Sequence, residues 1–343
     1  MNFQLSDDQV ALRDGLQAIV DGYFSLDHVR AREDQPSVVD RTGWQALSDA
    51  GVFALLVPES LGGLGLSITD AVVAMEVLGH ALVPGPLVGT MLAAGTIAGA
   101  AEGSTLVGIA ATSDRGAIPG VIELPGDCDG YLVLPSSRDG AAPATYVSRA
   151  NVVATPATRS LDPLHPVGRL EAPLEPSAQE LSGTADALRR NALLLTAAFE
   201  VGLAAFALEL SVAYAKDRYQ FGRPIGSFQA IKHLLADELA RLEMARAQLH
   251  YAAVVTNAPD IAAIDGEVYG LSATQLEWRA VAGAKLLCDQ VAVSATKTAV
   301  QVHGGMGYTW EVPVHLALKR ARVHATMLAT SDQMADIVAS LTH

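Results

Sequence analysis

In the first hundred residues, apolar and polar positions follow the spacing of amphipathic helices. Apolar residues recur every three or four positions, and short segments rich in Gly or Pro interrupt the pattern. Helices are predicted at residues 4–20, 69–82 and 87–100. The region 1–103 is therefore predicted to be a helical N-terminal domain.

The pattern changes between residues 104 and 178. Short β-branched and apolar runs alternate there with Gly, Pro, Asp and Ser, which is typical of strands separated by turns. The runs are Val107–Ala110, Tyr131–Leu134, Thr145–Val147 and Val152–Ala154. This segment, 104–178, is predicted to be a small β domain.

Long helical patterns return in the segment 179–343. Apolar residues at helical spacing, with charged residues between them, predict an amphipathic helix over about 231–249. Further helices are predicted at about 184–216, 266–298 and 312–340. Such a set favours a C-terminal four-helix bundle. The predicted fold class is therefore α+β and mainly α.

Composition and charge narrow the functions that this fold could serve. Half of the 343 residues are hydrophobic and 17% are charged, below the ~25% that is usual for soluble domains. Burial of surface in an oligomer would explain this balance. The formal charge of −14 argues against a nucleic-acid partner, because such binding needs clustered Lys and Arg.

The cysteines and the longest apolar run predict a cytoplasmic protein without a membrane span or a metal site. Cys128 and Cys288 match no metal-ligand or redox spacing, and no secretory segment is recognised. The apolar run Ala192–Leu208 is interrupted by Glu200 and is shorter than the ~18 uncharged residues that a span requires. It is predicted to be a buried helix of the bundle.

Two polar loops interrupt the C-terminal helical pattern, at 218–229 and 301–308. A guanidinium such as that of Arg218 presents a planar fork of donors that suits phosphate oxygens. Gly304 and Gly305 have no Cβ, so phosphates can approach their backbone closely. Both loops therefore suit a dinucleotide.

The motifs in these loops resemble those of the flavin-dependent acyl-CoA dehydrogenases. They read Arg218-x-Gln220-Phe221-Gly222 followed by Phe228-Gln229, and Gln301-x-x-Gly304-Gly305-x-Gly307-Tyr308 followed by Glu311-x-Pro313-Val314. A weaker marker is Pro58-Glu59 with Gly62-Gly63-Leu64-Gly65. The order of helical, β and helical regions resembles this family over essentially the whole chain.

The resemblance implies FAD as the cofactor and implies that both loops contact the FAD held by a neighbouring subunit. The cofactor-binding candidates carried over in this way are Arg218, Gln220, Phe221, Phe228, Gln229, Gln301, Val302, Gly304, Gly305 and Thr330. His303 lies in the same loop, where an acid or base role and a structural role are both open.

The sequence departs from the family where the catalytic base is expected. In these enzymes a glutamate abstracts the α-proton of the acyl thioester while a hydride leaves the β-carbon for the flavin. Gap-free counting places Leu328 at this position, and the alternative position on the preceding helix holds Ala192. Neither can accept a proton, so no catalytic residue is assigned. His324 and Asp332 remain open as replacement bases.

The middle region also departs from the family pattern. It is shorter than usual and contains neither the Thr-Glu-Pro run that binds the flavin nor the Trp-Ile-Thr strand that covers its ring. The nearest trace is Thr112-Ser113-Asp114. The chain thus contains the loops that would contact a flavin held by a neighbouring subunit. It lacks the middle-region motifs that would bind a flavin of its own.

This asymmetry resembles the shorter subunit of heteromeric bacterial acyl-CoA dehydrogenases of steroid side-chain degradation. The resemblance implies an α2β2 assembly with a homologous subunit that carries the catalytic glutamate, and an acyl-CoA substrate. Two other hypotheses remain: a flavin monooxygenase or oxidase on the same fold, and a non-enzymatic scaffold or nucleic-acid-binding derivative.

Overall fold

The structure, a computed structural model, describes residues 4–111, 120–134, 143–174 and 179–342. The helices are α1 Asp7–Tyr23, α2 Leu26–Ala31, α3 Arg41–Asp49, α4 Ile68–His80, α5 Leu87–Ala93, α6 Ala185–Asp217, α7 Gln229–Asn257, α8 Pro259–Tyr269, α9 Ala273–His303, α10 Val314–Met327 and α11 Ser331–Ser340. The strands are β1 Val107–Ala111, β2 Val121–Glu123, β3 Gly130–Val133, β4 Pro143–Ser148, β5 Ala154–Pro156, β6 Val167–Leu170, β7 Gln179–Thr184, β8 Tyr219–Gln220 and β9 Arg223–Pro224. Helical regions that precede and follow the strands of a small sheet in the chain confirm the predicted fold class, α+β and mainly α.

The N-terminal helices begin and end at residues that suit their positions. Asp40 caps α3 by accepting hydrogen bonds from the backbone N–H of Thr42 and Gly43. The predicted helices at 4–20 and 69–82 correspond to α1 and α4, whereas α5 ends at Ala93, before the predicted limit of 100.

The middle region forms a mixed sheet with the strand order β5-β6-β2-β1-β3-β4-β7. Strands β1 and β3 pair in parallel, and the other neighbours are antiparallel. The strand predicted at 152–154 begins only at Ala154, because a 3₁₀ turn occupies Arg149–Asn151. Thr112, Ser113 and Asp114 lie outside the described residues.

The C-terminal helices agree with the predicted bundle except at two breaks. Helix α9 packs against α7, α10 and α11. The helix predicted at 266–298 is divided by Gly270, which has φ +68° and ends α8, and by Ser272, which caps α9. The helix predicted at 312–340 is divided after Met327, because Thr330 caps a new helix, α11.

Contacts divide the chain into two compact units. One contains Met1–Val10, Met75–Leu82 and Thr196–His343, and the other contains Ala11–Ala74 and Val83–Leu195. The loops and pockets described below belong to the first unit. The domain limits at 103 and 178 stay a prediction.

Glycines allow an unusually close helix crossing within the first unit. A Cβ at Gly79 in α4 would lie 2.1 Å from the carbonyl O of Phe199 in α6. A Cβ at Gly202 would lie 2.2 Å from the carbonyl O of Glu76. Because real side chains do not approach backbone atoms this closely, the crossing requires glycine on both helices.

Helix α6 is the one described helix that is long and apolar enough, by length and composition, to cross a membrane. Within its most apolar window, 83% of the residues are buried inside the protein. Glu200 in this helix is fully buried and pairs with Lys285 of α9. These contacts are those of a core helix, in agreement with the prediction for the run 192–208.

Candidate functional site

The first predicted loop, 218–229, forms a short hairpin that leads from α6 into α7. Strands β8 and β9 pair antiparallel, and the N–H of Ile225 donates to the carbonyl O of Arg218 at 2.8 Å. At the tip, Phe221 and Gly222 have φ +53° and +77°. Two consecutive positive φ angles are typical of a tight type I′ hairpin turn, in which glycine is favoured and phenylalanine is strained.

Strain and exposure coincide at Phe221. Its side chain is 92% exposed, and its ring meets that of Phe228 edge-on at a centroid distance of 6.1 Å. The guanidinium of Arg223 covers Phe228 at 4.0 Å from the ring centroid. The contact of Phe221 with the cofactor stays a prediction, and the strained backbone at this exposed tip is compatible with it.

The second predicted loop, 301–308, follows the end of α9. Gly304 ends the helix with φ +60° and ψ −136°, a conformation that is essentially restricted to glycine. A Cβ on Gly304 or Gly305 would meet no atom within 4 Å, so both glycines face open space. Beyond them, Tyr308 is 84% and Trp310 is 65% exposed.

A ring stack brings the two loops to the same end of the bundle. Tyr214, in the last turn of α6, stacks on His303, the last residue of α9, with ring centroids 4.2 Å apart. His303 is buried, and its Nδ1 lies 2.7 Å from the carbonyl O of Ala299. Burial lowers the pKa of His303. These contacts favour the structural role of His303 over an acid or base role.

Most of the predicted cofactor-binding side chains on these loops are exposed. Arg218, Gln220, Gln229 and Gln301 are all exposed, and no side-chain hydrogen bond or ion pair occupies them among the described residues. Phe228 is half-buried and Val302 is buried. The available groups are a guanidinium, three amides and two open glycines, and this donor set fits the phosphates and ribose hydroxyls of a dinucleotide such as FAD.

The expected base position is apolar. Leu328 follows the end of α10 and is half-buried. Thr330 caps α11, and its Oγ1 accepts from the N–H of Gln333. Its predicted contact with the flavin stays a prediction. Ala192, at the alternative position, is fully buried in α6.

A pocket of about 510 Å³ adjoins this segment. Its lining includes Thr330, Ser331 and Asp332 from the start of α11, together with Lys297 and Arg322. Asp332 thus faces a cavity. By contrast, His324 is buried, with its ring centroid 4.9 Å from that of Phe199. The structure brings one of the two replacement candidates, Asp332, to this pocket and places the other in the core.

Sequence reasoning expected Glu200 to be a paired group of the bundle or an interface, but it did not identify Lys285 and Asp289 as members of the same buried charged cluster, which adjoins this pocket. The Nζ of Lys285 donates to Glu200 Oε1 at 3.2 Å, to Asp289 and to the carbonyl O of His324 at 3.3 Å. Burial, and then the charge of Asp289, raise the pKa of Glu200 well above its ordinary value. The signal was present in the sequence, because Lys285 and Asp289 stand four residues apart on an apolar helix and Glu200 interrupts an apolar run.

Two family models match most of the chain. Residues 6–103 match the acyl-CoA dehydrogenase N-terminal domain, and residues 190–341 match the acyl-CoA dehydrogenase C-terminal domain.

Among described residues, no group of three or more His, Cys, Asp or Glu could hold a metal ion.

Similar proteins extend these matches to the full length. The acyl-CoA dehydrogenase IpdE2 of Mycolicibacterium smegmatis is 33% identical over 94% of this chain and 95% of its own. A chain in the crystal structure of the ChsE4-ChsE5 complex from Mycobacterium tuberculosis is 25% identical, with a TM-score of 0.79 over 99% of this chain and 98% of that one. The Tcur3481-Tcur3483 steroid ACAD shares the fold, with 23% identity and a TM-score of 0.78 over 98% and 97% of the two chains. This chain therefore belongs to the acyl-CoA dehydrogenases, a family of FAD-binding flavoproteins.

Proposed function

We propose that this chain is the subunit of a heteromeric acyl-CoA dehydrogenase that completes a flavin site in trans. It supplies the loops 218–229 and 301–308 to FAD at the interface with a homologous subunit, and that subunit supplies the catalytic glutamate. The complex removes two hydrogens across the α,β bond of an acyl-CoA thioester. Alone, the chain is inactive.

One observation carries this proposal: intact, open cofactor loops occur together with an apolar residue at the base position. Arg218 and Gln301 are exposed and are not engaged by other described side chains. Leu328, in contrast, has no group that can accept a proton. A chain that had lost the reaction altogether would have no reason to keep the strained hairpin tip at Phe221.

The residues of this chain bind and orient the cofactor. FAD, when bound, supplies the hydride acceptor. The guanidinium of Arg218 would hold the pyrophosphate through charge-assisted hydrogen bonds. The open backbone at Gly304 and Gly305 admits the dinucleotide without a steric clash, and the amide of Gln301 donates and accepts beside it. Phe221 and Phe228 exclude water from the same contact.

The partner and the substrate class follow from resemblance. The similar chain in the ChsE4-ChsE5 complex is part of an assembly of two proteins, which supports a homologous partner. The fold shared with the Tcur3481-Tcur3483 steroid ACAD supports a steroid side-chain thioester as the acyl group. An α2β2 stoichiometry and a cytoplasmic location complete the proposal.

Co-expression tests the proposal directly. The chain is produced alone and together with a longer, glutamate-bearing homologue from the same genome. We expect the chain alone to be flavin-free or poorly soluble, and the pair to co-purify as a yellow complex that reduces an electron-acceptor dye with an acyl-CoA. Subunit stoichiometry is read from native mass spectrometry, and flavin content from the visible spectrum.

The same samples separate the competing hypotheses. An active, flavin-loaded product from this chain alone would contradict the proposal. Turnover that consumes oxygen without an acyl-CoA would favour a monooxygenase or oxidase. A gel shift with DNA and no flavin in any preparation would favour the nucleic-acid-binding derivative.

A further inference from the structure

A second pocket lies among the C-terminal helices and shares no lining residue with the one beside Leu328. It has a volume of about 390 Å³ and is formed by α7, α8, α9 and α11. Small-molecule sites are typically ~300–1,000 Å³, with an apolar floor and a few polar groups at the rim. This pocket has that organisation.

Tyr269, the last residue of α8, lines one side of the pocket, and the turn that follows fixes its position. Gly270 adopts φ +68°, and its N–H donates to the carbonyl O of Glu267. The N–H of Leu271 donates to the carbonyl O of Gly266 at 2.8 Å. Ser272 then caps α9 in a reciprocal capping box with Gln275. Because these backbone N–H groups are all hydrogen-bonded, the turn holds the end of α8 in a fixed position.

The floor of the pocket is hydrocarbon. Its members are Leu276, Ala280, Leu286, Leu287 and Val338. Leu286, Leu287 and Val338 are only half-buried, so the pocket leaves apolar surface in contact with water. Gly283 stands among them, and the absence of a side chain there opens the space above the leucines. Covering such surface with an apolar ligand is favourable by ~25 cal/mol per Å².

The polar groups collect at the rim. The Nε2 of Gln248 donates to the carbonyl O of Ala280 at 3.2 Å. The hydroxyl of Tyr251 donates to Asp265 Oδ2 at 3.4 Å. The guanidinium of Arg279 lies 4.6 Å from the centroid of the Tyr269 ring. Stacking of this kind occupies the face of a guanidinium and leaves the N–H groups at its edge able to donate.

The charge at the rim is not neutralised by the chain. No salt bridge to Arg279 is present in the described part of the protein. A cation beside half-buried leucines suits a ligand with complementary chemistry, which is a single anionic head on a hydrocarbon body.

We propose that this pocket binds a monocarboxylate with an apolar tail, with the carboxylate on Arg279 and the tail over Leu286 and Leu287. The site is separate from the flavin loops. It therefore does not depend on the proposed function, and its test can fail without affecting that function.

Calorimetric titration with sodium decanoate, kept below its micelle concentration, tests the proposal on the purified full-length protein, together with its partner if one co-purifies. We expect saturable binding to the wild type. Arg279→Gln should weaken decanoate binding by about tenfold or more, because a charge-assisted hydrogen bond is lost. The same variant should bind decan-1-ol as the wild type does, since the alcohol lacks the charge.

A variant at Gly283 tests the location of the tail. A Cβ at Gly283 would lie 3.4 Å from Nε2 of Gln248, which is an ordinary contact, so Gly283→Ala should fold and still bind. Gly283→Leu should fill the space and abolish binding of both decanoate and decan-1-ol. Arg13→Gln, on an exposed surface of α1, is the control for loss of a positive charge elsewhere.

The binding measurements on the wild type and the variants can support the proposal or contradict it. Selective loss of decanoate in Arg279→Gln, with loss of both probes in Gly283→Leu, supports it. The proposal is overturned if the wild type does not bind decanoate, or if either variant binds it with unchanged affinity.

Discussion

Arg218 is the residue on which the proposed cofactor contact depends most directly. Its guanidinium is exposed at the start of the hairpin, while its backbone carbonyl O accepts a hydrogen bond from the N–H of Ile225. The side chain can therefore be removed without disturbing the hairpin. This separation makes the residue suitable for a direct test.

Arg218→Ala is expected to weaken FAD binding in the co-expressed complex. Loss of a hydrogen bond to a charged group corresponds to ~1.5–3 kcal/mol, or about 10- to 150-fold in Kd. Flavin absorbance after gel filtration and titration of the apo-complex with FAD measure the effect. Arg13→Ala is the matched control, because Arg13 forms only an exposed pair with Asp14. Unchanged occupancy in Arg218→Ala would mean that the loop does not contact phosphate.

The buried cluster at Lys285 makes a second prediction at the residue scale, and this one concerns stability and pH. The pKa of Glu200 is raised by burial and by Asp289, so the folded state holds a proton that the unfolded state releases above about pH 4.5. The stabilisation from this proton is complete below that pH and is lost as pH rises toward the folded pKa. Glu200→Gln should therefore become progressively more stable than the wild type as pH rises.

Urea unfolding midpoints of the wild type and of Glu200→Gln, measured at increasing pH from about 4.5, check the sign of the stability difference. Lys285→Met is the contrasting variant. It leaves Asp289 buried without its cation and should lower the free energy of unfolding by ~3–5 kcal/mol. A wild type and a Glu200→Gln variant with parallel pH profiles would show that Glu200 is ionised in the folded protein.

At the scale of elements, the crossing of α4 and α6 depends on glycine. Gly79→Ala would place a methyl group 2.1 Å from the carbonyl O of Phe199, so the helices must separate or the backbone must distort. We expect a loss of stability of several kcal/mol, beyond the ~1–3 kcal/mol of ordinary overpacking. Thermal or urea unfolding measures it.

The matched control is Gly15→Ala in α1. A Cβ there meets nothing within 4 Å, and the residue lies inside a helix. The change should stabilise the protein by up to ~1 kcal/mol, because alanine favours helix more than glycine does. Equal effects of the two substitutions would contradict the steric explanation.

At the scale of the whole molecule, the predicted absence of a base at Leu328 is one of two departures from the family pattern, and the other is the middle region. Leu328→Glu would restore a carboxylate at the family position without supplying the flavin-binding run of the middle region. We expect this variant, expressed without a partner, to remain flavin-free and inactive with acyl-CoA in a dye-reduction assay. Activity of the isolated variant would show that the chain builds its own flavin site.

Local signals in the sequence predicted most of the helices and the candidate loops. Helical spacing identified α4, α6 and α7, and the motifs from Arg218 and Gln301 identified both loops, because glycine positions and polar donors are local properties of the chain. The strands were less predictable. Strands β2, β6 and β7 were missed, since short runs such as Val121–Glu123 carry little periodicity and are defined by pairing with distant segments.

The sequence by itself determined the family and the fold class, and it predicts the loss of the base at Leu328, because residue identity alone decides whether a side chain can accept a proton. Only the tertiary structure decided which groups meet. The stack of Tyr214 on His303 joins two loops that are far apart in the chain. Burial pairs Lys285 with Glu200, and four helices together open a pocket beside Arg279. Such contacts depend on packing between distant segments, which no local pattern encodes.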